Sequence, residues 1–183
     1  PGVLYDTSCF SALDVLQLFA RVPAERVVFA SDPPYGRPFG GLYLVLRAAA
    51  AAGLDPATLA LVVGGTIGGL MDGNGLRPAS PPRLGDGVEL SGRLGRLFTY
   101  GAMAVGMVIA GRPEQALEAI DLMAAVTRDP DPAEHGETLE LLGATLAAAA
   151  ALARLQDGVW PALGLVHMTM SLAATEREAA NRR

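Results

Sequence analysis

Residues 26–35, RVVFASDPPY, hold the most chemical arrangement in this chain. Val27, Val28, Phe29 and Ala30 form an apolar run that ends two residues later in a carboxylate, Asp32. The run is continuous rather than alternating, which predicts a buried parallel strand over residues 26–31. Pro33 and Pro34 cannot donate ladder hydrogen bonds, so the strand has to stop at Asp32. An acid at the C-terminal mouth of a strand is where α/β folds hold ligands and metals. The plain alternative, a turn residue ahead of two prolines, stays open.

Other residues offer weaker chemistry. Asp6 and Ser8 follow a short apolar run, Val3-Leu4-Tyr5, and can either line the same mouth as Asp32 or cap a local turn. Cys9 lies beside them with no histidine near in sequence, and reads as a small buried hydrophobe rather than a nucleophile. Arg37, in Tyr35-Gly36-Arg37-Pro38, can meet an anionic substrate or stay a solvated loop residue. The two histidines, His135 and His167, both fall in the second half of the chain. His135 sits at a helix start and reads as exposed; His167 sits in an apolar helix and reads as a core or interface residue. Neither has the short-spaced partner of a metal site. Gly64-Gly65 and Gly68-Gly69 do not follow a strand, and no G-x-x-x-x-G-K-[ST] is present, so they read as helix packing rather than a phosphate cradle. The methionines 103, 107, 123, 168 and 170 read as soft core filling. Glu134, Glu137 and Glu140 read as a solvated helix face.

The elements that position these groups follow from punctuation. A short strand over residues 3–5 ends at Asp6. Ser11 is an N-cap for a helix over residues 12–20, with Val15, Leu18 and Phe19 inward. Residues 42–52 form a helix stopped by Gly53. Asp55 and Pro56 open another, as N-cap and first helical residue, ending near residue 63. Residues 66–71 add one short helical turn. The first seventy or so residues thus read as a βαβα unit with parallel strands. Residues 73–87, rich in Gly and Pro, carry no periodicity and read as a linker or long surface loop. Helices are predicted over residues 94–110, 113–127, 134–156 and 160–181, with Pro113 in a first turn and Gly158 between the last two. The domains expected are residues 1–73 (βαβα), 74–93 (linker) and 94–183 (helical).

Composition sets the outer limits. The chain has 183 residues, 51% apolar and 5% aromatic, enough for a sizeable core. A net charge of −5 and the lack of a basic stripe argue against a nucleic-acid partner. The single cysteine excludes an internal disulfide and a multi-cysteine zinc site. The apolar runs 97–110 and 159–174 fall short of a membrane span and contain Gly, Pro or His. With no leader pattern at the start, a cytoplasmic location is the expectation. The abrupt opening in a strand-like run and the high mean hydropathy suggest a piece of something larger.

Three stretches resemble the end of the barrel in the amidohydrolase superfamily, closest to the amidohydrolase-related metal-dependent hydrolases. Val3-Leu4-Tyr5-Asp6-Thr7-Ser8 resembles that family's seventh strand. Val22-Pro23-Ala24-Glu25-Arg26 resembles the turn into its eighth. Ala30-Ser31-Asp32-Pro33-Pro34-Tyr35 resembles the end of the eighth strand. LVVGGTIGGLM, residues 61–71, resembles the closing helix, with Thr66 where an Asn is usual and Ala30 where Gly is usual. The resemblance covers about 70 of the 183 residues.

The resemblance implies an α/β fold: the last two strands of a (β/α)8 TIM-like barrel, followed by an all-helical C-terminal extension. It implies a divalent ion, Zn, Mn or Fe, with Asp32 as metal ligand and proton acceptor in hydrolysis of a small-molecule substrate. Against that pattern, the family's His-x-His and its middle-strand histidines are missing. Two strands also cannot close a barrel that needs eight and typically ~250 residues. The expectation is therefore the C-terminal portion of a metal-dependent hydrolase, incomplete as it stands. The alternative is a non-catalytic structural module that forms homo-oligomers through its helical half.

Overall fold

The computed structural model describes residues 2–33, 38–81, 90, 92–128 and 136–176. The chain divides into two compact units, Pro1–Glu89 and Leu90–Arg183.

In the first unit, strand β1 (Tyr5–Asp6) leads to helix α1 (Ala12–Arg21) and then to strand β2 (Val27–Val28), reached through a 3-10 turn at Ala24–Arg26. Helices α2 (Pro38–Ala51), α3 (Pro56–Ala60) and α4 (Thr66–Met71) follow, with a π-helical turn, Leu61–Gly65, between the last two. β1 and β2 pair in parallel, Tyr5 against Val27 and Asp6 against Val28. α1 begins at a capping box. The Ser11 hydroxyl accepts from the Asp14 amide, while the Asp14 carboxylate accepts from the Ser11 amide at 2.9 Å. Its inner side buries Val15, Leu16 and Phe19. Ser11→Ala removes one arm of that box and is expected to cost about 1 kcal/mol. Urea unfolding of the variant measures it; an unchanged midpoint would show the cap to be energetically idle.

The α/β barrel expectation is corrected by this arrangement. Among the described residues the only strands are two of two residues each, and the protein is mostly helical. Backbone pairing explains why β2 stops where it does. The Phe29 amide donates to the Val62 carbonyl at 2.8 Å, and the Ala30 amide donates to the Thr7 hydroxyl at 3.3 Å. One residue past Val28 the chain is therefore hydrogen-bonded to the π-helical turn, and the next bond goes to a side chain. That turn exists because Gly64 adopts φ 157, which interrupts the regular helix between α3 and α4.

Residues 77–80 are tied to the 3-10 turn. The Arg26 guanidinium donates to the Arg77 carbonyl at 2.8 Å, and the Ser80 hydroxyl donates to Glu25 at 2.6 Å. The Gly/Pro-rich stretch thus starts as a fixed strap across the first unit. Residues 82–89 lie outside the described residues.

The second unit is four helices: α5 (Gly92–Ile109), α6 (Pro113–Thr127), α7 (Gly136–Ala153) and α8 (Val159–Thr175). Each packs on the next in chain order, and α8 returns to α5, closing a four-helix bundle. The short connections make neighbours antiparallel. Leu97, Ile120, Met123, Leu142, Leu146 and Val166 form the centre of its core. The buried hydroxyls of Thr169, Ser171 and Thr175 each donate to the carbonyl four residues earlier, so no polar group there is left unmatched. Met123 and Met170 fill the core as expected, whereas Met103 and Met168 are exposed. Among the described residues one helix, α7, is long and apolar enough to cross a membrane by length and composition. Its inner face is in the bundle core.

Candidate functional site

The parallel register brings the loops after β1 and β2 together. Because Asp6 pairs with Val28, the residues three or four positions further on meet at one end of the two-stranded sheet. Thr7 builds the floor there. It is buried, its amide donates to the Val28 carbonyl at 3.1 Å, and its carbonyl accepts from the Phe10 amide at 3.3 Å. The Cys9 thiol donates to the Asp32 carboxylate across the two loops, with Sγ 3.8 Å from Oδ2.

Asp32 is exposed and lies past the end of β2, which stops at Val28 rather than running up to the carboxylate. Cys9 does not match its expectation: it is exposed rather than buried. The reason is backbone conformation. Cys9 (φ 58) and Asp32 (φ 45) both sit in the left-handed region, which costs a non-glycine residue roughly 1–2 kcal/mol. Among the described residues only Asp157 shares this feature. A left-handed turn at each strand end swings the two side chains toward one another. The signal that would have found the pair in the sequence is the similar reach of the two loops beyond a parallel register.

Asp6 is differently employed. Its carboxylate accepts from both the amide of Ser8, at 2.8 Å, and the Ser8 hydroxyl. Of its two readings, the local turn cap is therefore made. The Ser8 hydroxyl, then the Ser8 amide, hold the Asp6 carboxyl below the usual aspartate range, against a small upward push from burial. With the folded value depressed, the stabilisation is complete above the unfolded value and fades as pH falls through the folded one. A carbon-13 NMR titration should find the Asp6 midpoint below that of an ordinary aspartate. Ser8→Ala should move it partway back up, since the amide donor remains. A midpoint indifferent to Ser8→Ala would contradict the hydroxyl's part.

His167 is half-buried on α8, in the other unit. Arg37 and His135 lie outside the described residues. The two glycine pairs fall within the π-helical turn and α4, and neither follows a strand in the chain. A groove lined by Phe10, Asp14, Gln17, Leu18, Arg21 and Val22 runs along α1, but its one carboxylate is spent on the capping box.

A catalytic zinc draws on three protein ligands. Among the described residues no three His, Cys, Asp or Glu side chains gather closely enough to hold an ion. Cys9 and Asp32 supply two donors, one short. The described donor set does not make a metal centre.

No protein-family model matches the chain, and neither the curated proteins nor the solved structures include one that matches it. The likeness to the amidohydrolase superfamily rests on the residues quoted above.

Proposed function

We propose that the mouth formed by the loops after β1 and β2 is part of a hydrolytic site, with Asp32 as its proton acceptor. One observation carries the reading. Two of the three left-handed non-glycine residues among those described are Cys9 and Asp32, and they meet side chain to side chain at this mouth. Backbone strain of this kind persists only where the surroundings enforce it, and it concentrates at working sites. The motif resemblance around Asp32 supports the same reading.

In this reading Asp32 takes a proton from a water as the water attacks the electrophilic carbon of a small ester or amide. It then returns the proton to the leaving group. Cys9 holds the carboxylate in place through its thiol hydrogen. Thr7 fixes the second loop by accepting the Ala30 amide. Asp6, with Ser8 on its carboxylate, keeps the first loop folded and takes no part in proton transfer.

The test is hydrolysis of a panel of small esters, amides and lactones by the purified full chain, run against Asp32→Asn, with Zn, Mn and Fe content read by mass spectrometry. Turnover that depends on Asp32 supports the reading. No turnover, or turnover indifferent to Asp32, defeats it. A second reading, a non-catalytic helical interaction module, is favoured by one observation of its own. The outer side of α7 is apolar and exposed, with only a third of the helix buried.

A further inference from the structure

We propose that α7 is the contact surface of an antiparallel homodimer. The inference is independent of the hydrolytic reading, because it uses only the second unit. α7 presents two faces. Leu139, Leu142, Leu146, Ala149, Ala150 and Ala153 are buried in the bundle. The opposite side carries Glu137, Leu141, Ala144, Ala148 and Ala151, all exposed, with Leu155 just past the helix end. These six are spaced alternately four and three residues apart. That is the seam of a two-helix coiled coil, turned outward. Leu141 is 54% exposed and Leu155 63%. A helix needing only to be wetted would carry charge along that line; this one carries alanine between two leucines.

The occupant follows from size and charge. The three alanines let a second helix approach near the short end of the usual ~8–10 Å interaxial range. Two copies running antiparallel about an axis level with Leu146 set Ala144 opposite Ala148 and Leu141 opposite Ala151. Leu141 then meets a small residue, while at the rim Leu155 falls level with Glu137. Glu137 and Glu140 sit at the N-terminal end of the face and Arg154 at its C-terminal end. In the antiparallel pair, Glu140 of one copy lies on the same side as Arg154 of the other, within two residues of level. A parallel pair sets Glu137 and Glu140 against themselves. Arg154 meets Asp121 at 2.9 Å through Nη2 and the Ala150 carbonyl at 2.9 Å through Nη1, which holds its positive charge at this end of the helix. The end charges therefore favour the antiparallel orientation over the parallel one.

A pair of helices of 18 residues, about 27 Å long, makes an interface at the small end of the stable range. Association is expected with a Kd in the micromolar range, roughly 1–100 μM. Sedimentation velocity of the full chain across that range should follow a monomer–dimer equilibrium. Ala148→Glu places a charge opposite Ala144 of the other copy and should weaken association at least about tenfold. Leu122→Glu, at an exposed leucine of α6, should leave it unchanged. Circular dichroism checks that each variant keeps its helices. Orientation is read by disulfide trapping on a Cys9→Ser background. Ala144→Cys mixed with Ala148→Cys should cross-link as a heterodimer faster than either alone. A monomer up to ~300 μM, association insensitive to Ala148→Glu, or preferential like-with-like cross-linking would each overturn the proposal. So would binding to neutral lipid vesicles in place of self-association.

Discussion

Gly158→Ala is expected to lower the stability of the helical unit by about 3 kcal/mol, a large effect for one methyl group. The cause is space, not backbone freedom. Gly158 has φ −76 and ψ −15, which any residue adopts. A Cβ at this position would lie 1.8 Å from the Leu152 carbonyl oxygen, 2.8 Å from its carbon and 3.1 Å from the Leu155 oxygen. All three are backbone atoms, so no side chain can rotate away. The turn between α7 and α8 is closed around this glycine by three bonds. The Leu155 amide donates to Leu152 at 3.0 Å, the Gly158 amide to Leu155 at 3.0 Å, and the Ala162 amide to the Gly158 carbonyl at 3.0 Å. Moving any one to admit the methyl strains the others. Gly111→Ala is the contrasting case. Gly111 ends the α5 turn at φ 71 with open space where its Cβ would go. It is charged only for the left-handed conformation, about 1 kcal/mol. Urea unfolding monitored by circular dichroism compares the two on the full chain. Equal losses would mean that crowding at Gly158 is relieved cheaply, and the account of the turn would fail.

How much of this was legible in the sequence depended on whether the deciding interaction was local. Ser11, the pair Asp55-Pro56, and Pro113 announce helix starts because caps and fixed φ act within one turn, and the helices begin there. α8 ends at Thr175, where Glu176 turns extended; residues 177–181 of the helix expected from the sequence lie outside the described residues. The strand over residues 26–31 shrank to Val27–Val28 for a non-local reason. The apolar run is a good strand, but the partner of Phe29 is Val62, 33 positions away in a π-helical turn that no periodicity betrays. The barrel expectation failed with it, since it needed each strand to continue a sheet. At the mouth, Asp32 was legible because an apolar run and two prolines bracket it. Cys9 was not. Its exposure and its reach to Asp32 depend on the register of β1 against β2 and on two left-handed residues, and neither is written in local composition. The outward seam of α7 was partly legible. The sequence marked Glu137 and Glu140 as a solvated face, but the packing of α6 and α8 decides which apolar residues of the helix remain exposed.

Asp32→Asn should reduce kcat/KM by about 10²–10⁴ if the carboxylate is the proton acceptor. Asparagine matches aspartate in shape and tolerates the left-handed backbone about as well, so the loop at φ 45 has little reason to change. What is lost is the ability to take a proton, and the loss should therefore fall on kcat with KM little altered. Asp6→Asn should act differently. Its carboxylate is an acceptor for Ser8, so the damage belongs to loop stability and is expected to stay within about tenfold in activity. Cys9→Ser keeps a donor facing Asp32 and should be mildest. The decisive variant is Asp32→Gly. Glycine adopts a positive φ without strain, so the loop is preserved while the carboxylate is removed. Added formate can then occupy the space and accept the proton, and part of the lost rate should return in proportion to formate concentration. A purely structural Asp32 predicts the reverse pattern: Asp32→Asn near wild type, and Asp32→Gly indifferent to formate. The two patterns share no outcome, so kinetics on these variants decide whether the strained pair at the mouth is a working group or only a turn.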